Sequence, residues 1–158
     1  MSSAVLTRTP TIRVFEPAHL LDIQAREFDR KGLLAHGQDY AIRAALMCAK
    51  YPAYTAFTDE GQVIICAGVI VSRPGIADGW AVTSDLVQDY GLWLTRTVKT
   101  MLNEVMAALS LRRVQVSVDP LNVMAPRWAH ALGFQYEGTM RGFGPDGQPY
   151  DLYAKVRT

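Results

Sequence analysis

An excess of charge of either sign is missing from this chain. Sixteen Lys and Arg stand against fifteen Asp and Glu, a formal net charge of +1. That balance gives no electrostatic basis for nucleic acid or an anionic membrane as a main partner. Cysteine is scarce as well. Cys48 and Cys66 each sit inside an apolar run, Ala-Leu-Met-Cys-Ala and Val-Ile-Ile-Cys-Ala. With no metal or redox spacing, they read as buried reduced thiols, a disulfide or a nucleophile being the alternatives. Neither His19 nor His36 has a ligand-spaced neighbour, so no metal site is expected, and His130 reads as a surface residue. No apolar run reaches transmembrane length, and the N-terminus lacks a signal peptide's apolar stretch. An intracellular setting is therefore expected, the cytoplasm or its equivalent in an infected cell. Repeats, low-complexity tracts and linkers are absent too, so 158 residues are expected to form one domain, 1–158, large enough for a real core.

What is present is a clear succession of elements. Thr11 to Phe15 alternates apolar and polar residues and reads as a strand. Glu16-Pro17 opens a helix expected to run to about Phe28. Gly32, Gly37 and Asp39 mark a loop, Tyr40 to Lys50 a helix, and Tyr51-Pro52 its end. Ala53–Thr58 and Gln62–Ser72 form a hairpin around Asp59-Glu60-Gly61. The continuous apolar run of the second strand implies burial on both faces. Arg73-Pro74-Gly75 turns the chain into a strand at Gly79–Ser84. From Tyr90 to Leu109, apolar residues at Leu94, Val98, Met101, Leu102, Val105, Met106 and Leu109 define one helical face. A strand at Arg113–Val118, a turn at Asp119-Pro120, a short helix and a last hairpin complete the order. Gly133 sits where a helix end needs a left-handed residue, and Phe134 is the apolar residue that packs back on it.

Asn122 after a strand, a helix closing on Leu132-Gly133-Phe134, then Glu137-Gly138, Arg141 and Asp151-Leu152-Tyr153 resemble the C-terminal half of the GCN5-related N-acetyltransferases, the GNAT superfamily. The element order extends the resemblance over nearly the whole chain. It implies an α/β (α+β) fold, with a mixed, mostly antiparallel sheet of six to seven strands flanked by about four helices and splayed between strands four and five. It also implies acetyl-CoA as co-substrate, its pantetheine arm lying in the splay against strand backbone, here at Val82 and Thr83. The family's pyrophosphate loop, Gln/Arg-x-x-Gly-x-Gly/Ala at a helix N-terminus, finds its counterpart in Gln88-Asp89-Tyr90-Gly91-Leu92-Trp93. Trp93 replaces the final small residue, and counting back from Asn122 puts the loop glycine nearer Trp93 than Gly91. The resemblance thus assigns coenzyme contacts to Val82, Thr83, Tyr90, Gly91, Trp93, Asn122 and Arg127. Read from the residues alone, Asp89 could cap the helix, Trp93 fill the core, Asn122 cap the next helix and Arg127 face water.

Many family members protonate the leaving thiolate with a Tyr, and Ala129 stands at that position. Members resembling the ribosomal-protein N-terminal acetyltransferases also lack it and share the Glu-Gly, Arg and Asp-x-Tyr hairpin. Ser84 and Asp85, at the end of the fourth strand, are the catalytic candidates; turn or strand roles are the plainer reading. Ser117 and Asp119 flank the fifth strand, again more simply as turn or strand groups. Tyr136 and Tyr153 could approach the cleft from the hairpin, with strand packing the default. Trp80 and Trp128 read as core. Two functions follow from the resemblance. One is an N-acetyltransferase acting on a small-molecule or protein N-terminal amine by direct attack in a ternary complex. The other is an inactive GNAT-fold protein of a phage, serving in the virion or its assembly, with a virion or host protein as partner. The acceptor site is expected between the loop at about Arg30–Asp39 and the hairpin at Gly142–Pro149.

Overall fold

The computed structural model describes residues 9–23 and 35–158. Seven strands form one sheet: β1 (Thr11–Val14), β2 (Ala53–Phe57), β3 (Val63–Arg73), β4 (Ile76–Thr83), β5 (Arg113–Val118), β6 (Gln135–Met140) and β7 (Tyr150–Val156), in the order β1-β2-β3-β4-β5-β7-β6. All neighbours run antiparallel except β4 and β5, which are parallel. The described helices are α1 (Pro17–Asp22), α2 (Gln38–Cys48), α3 (Gly91–Ala108) and α4 (Met124–Ala131), with a 3-10 turn at Asp85–Asp89. None of them is long and apolar enough to cross a membrane.

The expected strands and long helix are in place. β3 is an inner strand whose Ile64, Ile65, Cys66 and Val69 are buried. One layer of core joins α1 and α2 to the sheet through Phe15, Leu20, Ala45, Cys48 and Cys66. On the other face Met106, Leu111, Val114, Ala129, Leu132 and Phe134 bring α3 and α4 onto β5 and β7. Both cysteines are buried free thiols, and burial pushes each up to about 11.

Boundaries differ in three places. The first helix ends at Asp22, because Ile23 turns extended and buries its side chain. The part of the expected helix from residue 24 to Phe28 lies outside the described residues, as does Gly32. Asp39 belongs to the first turn of α2, where a carboxylate favours the helix dipole, and Gly37 (φ 89°) makes the entry. β4 starts at Ile76, three residues before Gly79, since Gly75 (φ 82°) completes the turn at once.

Candidate functional site

β4 and β5 pair at only three positions, Ile76 with Arg113, Ala77 with Val114 and Asp78 with Gln115. The Gln115 side-chain amide donates to Asp78 Oδ1 (2.9 Å) at the last of these. Beyond them, β4 remains paired to β3 as far as Thr83, and β5 to β7 as far as Val118. The backbone edges of Gly79–Thr83 and Val116–Val118 therefore face each other across a gap. Gly79 stands at the fork, where an added Cβ would lie 2.9 Å from a Val116 methyl. The gap opens into a cavity of about 1000 Å³.

The far end of the gap meets the start of α3. The amides of its first turn, Gly91 to Trp93, have no acceptor within the helix and carry the positive end of its dipole. The N-cap residue is Tyr90, whose side chain makes no cap bond, so Asp89 is not the cap. Space around Gly91 is open: an added Cβ would meet nothing within 4 Å. Trp93 lies two residues into the helix, half-buried against the Ala56, Ile64, Ile65 and Leu94 cluster, and also lines the cavity. Across the gap, Trp128 Nε1 of α4 donates to Thr95 Oγ1 of α3 (3.2 Å), and that hydroxyl donates to Gly91 O (2.8 Å). The two helices are thereby tied at the mouth.

Of the residues expected at the site, Val82, Thr83, Gly91, Trp93, Asn122 and Arg127 line the cavity together. Tyr90 does not; it precedes α3 and packs on the Leu94 cluster. Asn122 offers its backbone to the turn, with N–H to Asp119 O (3.0 Å) and C=O to Ala125 N (3.1 Å). The N-cap residue of α4 is Val123, with no side-chain cap bond, so the capping role read for Asn122 does not hold. Arg127 is exposed.

Ser84 is not brought into the cleft. It is 3% exposed, and its hydroxyl is shared between Val63 O (2.9 Å) and Ile64 O (3.1 Å), closing the end of the β3–β4 ladder. Asp85 begins the 3-10 turn on the surface, outside the lining. Ala129 is buried. Ser117 and Asp119 do line the cavity, and Asp119 Oδ1 accepts the Leu121 amide (3.0 Å), a local turn bond. Tyr153 is buried beneath Tyr136 and His130 in edge-to-face contacts, and its hydroxyl is pushed up in pKa, chiefly by burial. Tyr136 is exposed, and its hydroxyl joins Thr139, which donates to Asp151.

The sequence reading missed two lining groups. Tyr150, at the start of β7, reaches the cavity. Trp80 lines it from β4 with its ring against Phe15, and its buried Nε1 finds no acceptor among the described residues. A Trp within a strand carries no local signal that its ring nitrogen is unpaired.

No protein-family model matches the sequence, and no curated protein matches it in sequence. Solved structures do match in shape. A GNAT-superfamily phosphinothricin acetyltransferase from Sinorhizobium meliloti, solved with AcCoA, superposes with a TM-score of 0.66 at 16% identity, over 94% of this chain and 88% of its own. Ribosomal-protein-S5-alanine acetyltransferase from Vibrio fischeri gives 0.69 at 15% identity, over 92% and 91%. A variant of spermidine N-acetyltransferase from Vibrio cholerae gives 0.65 at 14% identity, over 92% and 94%. The chain has the fold of the GNAT acetyltransferases.

Proposed function

We propose that the protein transfers an acetyl group from acetyl-CoA to an amine. The parting of β4 from β5 after Asp78 carries this reading. An extended arm bearing amides would complete the ladder there as an inserted strand between the facing backbone edges of β4 and β5. The first-turn amides of α3 at Gly91 would receive the pyrophosphate, with the Arg127 guanidinium in reach of the phosphates. The Asn122 carboxamide would bond the arm. The printed names of the structural neighbours, acetyltransferases of phosphinothricin, of a ribosomal-protein alanine and of spermidine, support an amine acceptor, small or at a protein N-terminus.

In this reading the neutral amine attacks the thioester carbonyl directly in a ternary complex. An N–C bond forms, the C–S bond breaks, and the ammonium proton leaves for solvent or thiolate. Ala129 supplies no proton, and Ser84 is committed to β3 carbonyls. Rate enhancement then comes mainly from alignment, where effective molarities reach roughly 10⁵–10⁸ M, against roughly 10²–10⁴ for acid–base help. With Ala129 in place of a general acid, a second reading stands beside it, a GNAT-fold virion or assembly part without turnover.

Calorimetry with acetyl-CoA separates the two. Micromolar binding, with acetylation of a spermidine or peptide panel, supports the enzyme. Absence of heat at millimolar ligand leaves the non-enzymatic reading. Asn122→Ala is expected to weaken binding about tenfold, the loss of one hydrogen bond of roughly 1–1.5 kcal/mol; unchanged affinity would remove Asn122 from the site.

A further inference from the structure

The cavity does not stop at the coenzyme gap. From Gly79 and Ala81 of β4 it continues beneath α3 across the sheet, to Ala67 of β3 and to Tyr54 and Ala56 of β2. Its roof there is Val98, Met101 and Val105 of α3. Ala56, Ala67 and Ala81 recur along the floor, with the larger Tyr54, Ile65 and Val69 beside them. The only charged residues among the described lining are Asp119 and Arg127, both on the β5–α4 side. The space under α3 is apolar.

Native interiors are packed like organic crystals, with few voids larger than a water molecule. The part of the cavity beneath α3 leaves apolar walls short of dispersion contacts, and water there would find few polar partners. A polar guest would go unpaired in it. The fitting occupant is a hydrocarbon chain. The void joins the gap at the β4 edge, where the thioester end of an inserted coenzyme arm would lie, so a chain attached to that sulfur enters without crossing solvent.

Resting on the transfer reading of this cleft, we propose that the preferred donor is a medium-chain acyl-CoA, its hydrocarbon tail housed between α3 and the sheet. The acyl step keeps the same balance. The amine nitrogen bonds to the acyl carbon, the C–S bond breaks, CoA leaves as thiol with the amine's proton, and the product is an N-acyl amide.

Each methylene moved from water into an apolar site tightens binding about fourfold, the equivalent of ~0.8 kcal/mol. Calorimetry of the full chain with acetyl-, hexanoyl-, octanoyl- and decanoyl-CoA tests this directly. Affinity should climb with length, octanoyl-CoA binding at least about 30-fold tighter than acetyl-CoA. Equal affinities along the series, with acetyl-CoA bound, would overturn the long-chain donor and leave acetyl transfer standing. Binding of none would take down the transfer reading itself. Ala67→Phe, on the strand next to the gap edge, should cancel the gain for octanoyl-CoA while weakening acetyl-CoA far less. A gain that survives in a folded Ala67→Phe protein would place the tail elsewhere and overturn the assignment. Should that variant fail to fold, the length series on the unaltered chain decides alone.

Discussion

At Trp80 a buried donor without a described acceptor lies beside the cleft. Leaving such a group unpaired costs about 1–3 kcal/mol, so its retention calls for a ligand acceptor or a purely steric use of the ring. Trp80→Phe keeps most of the aromatic packing on Phe15 and deletes the donor. Thermal unfolding of the variant should match or exceed the parent, while coenzyme or acceptor affinity should fall. A variant equally tight for every ligand would make Trp80 a packing residue only. The thiols behave differently. Burial holds Cys48 and Cys66 at about 11, against about 8.5 for a free cysteine, so thiolate is scarce at neutral pH. A colorimetric disulfide reagent at pH 8 should leave both unmodified in the folded protein and label both in denaturant. Rapid labelling of the native chain would contradict their burial. Asn122 and Arg127, assigned to the cleft by the family resemblance, both line the cavity. The place of Ser84 was not legible in the sequence, because its carbonyl partners Val63 and Ile64 lie some twenty residues away in β3.

Helix ends show how local and non-local forces divide the elements. α4 closes in a Schellman motif, with Phe134 N–H on Ala129 O and Gly133 N–H on His130 O, and Gly133 sits at φ 96°. Lys155 adds a bond from Nζ to Leu132 O (2.8 Å). The long helix α3 ends the same way, Leu111 N–H on Met106 O and Ser110 N–H on Ala107 O, but there the left-handed residue is Ser110 (φ 52°). A non-glycine residue in that region costs roughly 1–2 kcal/mol, partly offset by glycine's greater freedom when unfolded. Ser110→Gly is therefore expected to raise stability by about 0.5–1 kcal/mol, read as a shift in denaturant midpoint at unchanged slope. A loss would show that the serine side chain contributes more than its backbone costs. Gly133 was readable because its residue type announces the conformation, whereas Ser110 is an ordinary residue held there by the fold.

The β5–β6 pair has a pH signature. Arg113 grips Glu137 through two guanidinium bonds across β7 and holds that carboxyl below the usual range. A carboxylate with a lowered folded pKa adds stability that is complete above its unfolded value and lost as pH falls through the folded one. Glu137→Gln should thus lower the melting temperature slightly at pH 7, the pair being solvent-screened. The gap between variant and parent should close below the ordinary carboxylate pKa of about 4.3. A gap that stays constant from neutral to acid would deny the pair any role.

At the scale of the molecule, one sheet links Thr11 to Val156, with helices packed on both faces. Heat should unfold the chain in a single cooperative transition, and two separated transitions would divide it into independent units. If acetyl-CoA binds as proposed, a hundredfold excess over Kd should add about 2.7 kcal/mol to stability, seen as a higher melting temperature. An unmoved transition at saturating ligand would contradict binding to the folded state.

The element order, the inner strand, the C-terminal cap at Gly133 and the Asn122-to-Phe134 segment were determined by the sequence alone, because periodicity, turn residues and caps act over a few neighbours. Only the tertiary structure decided where β4 leaves β5, what Ser84 bonds to, and that alanines from β2, β3 and β4 line up beneath α3. Those facts depend on pairings between segments far apart in the chain, and no local window contains both partners.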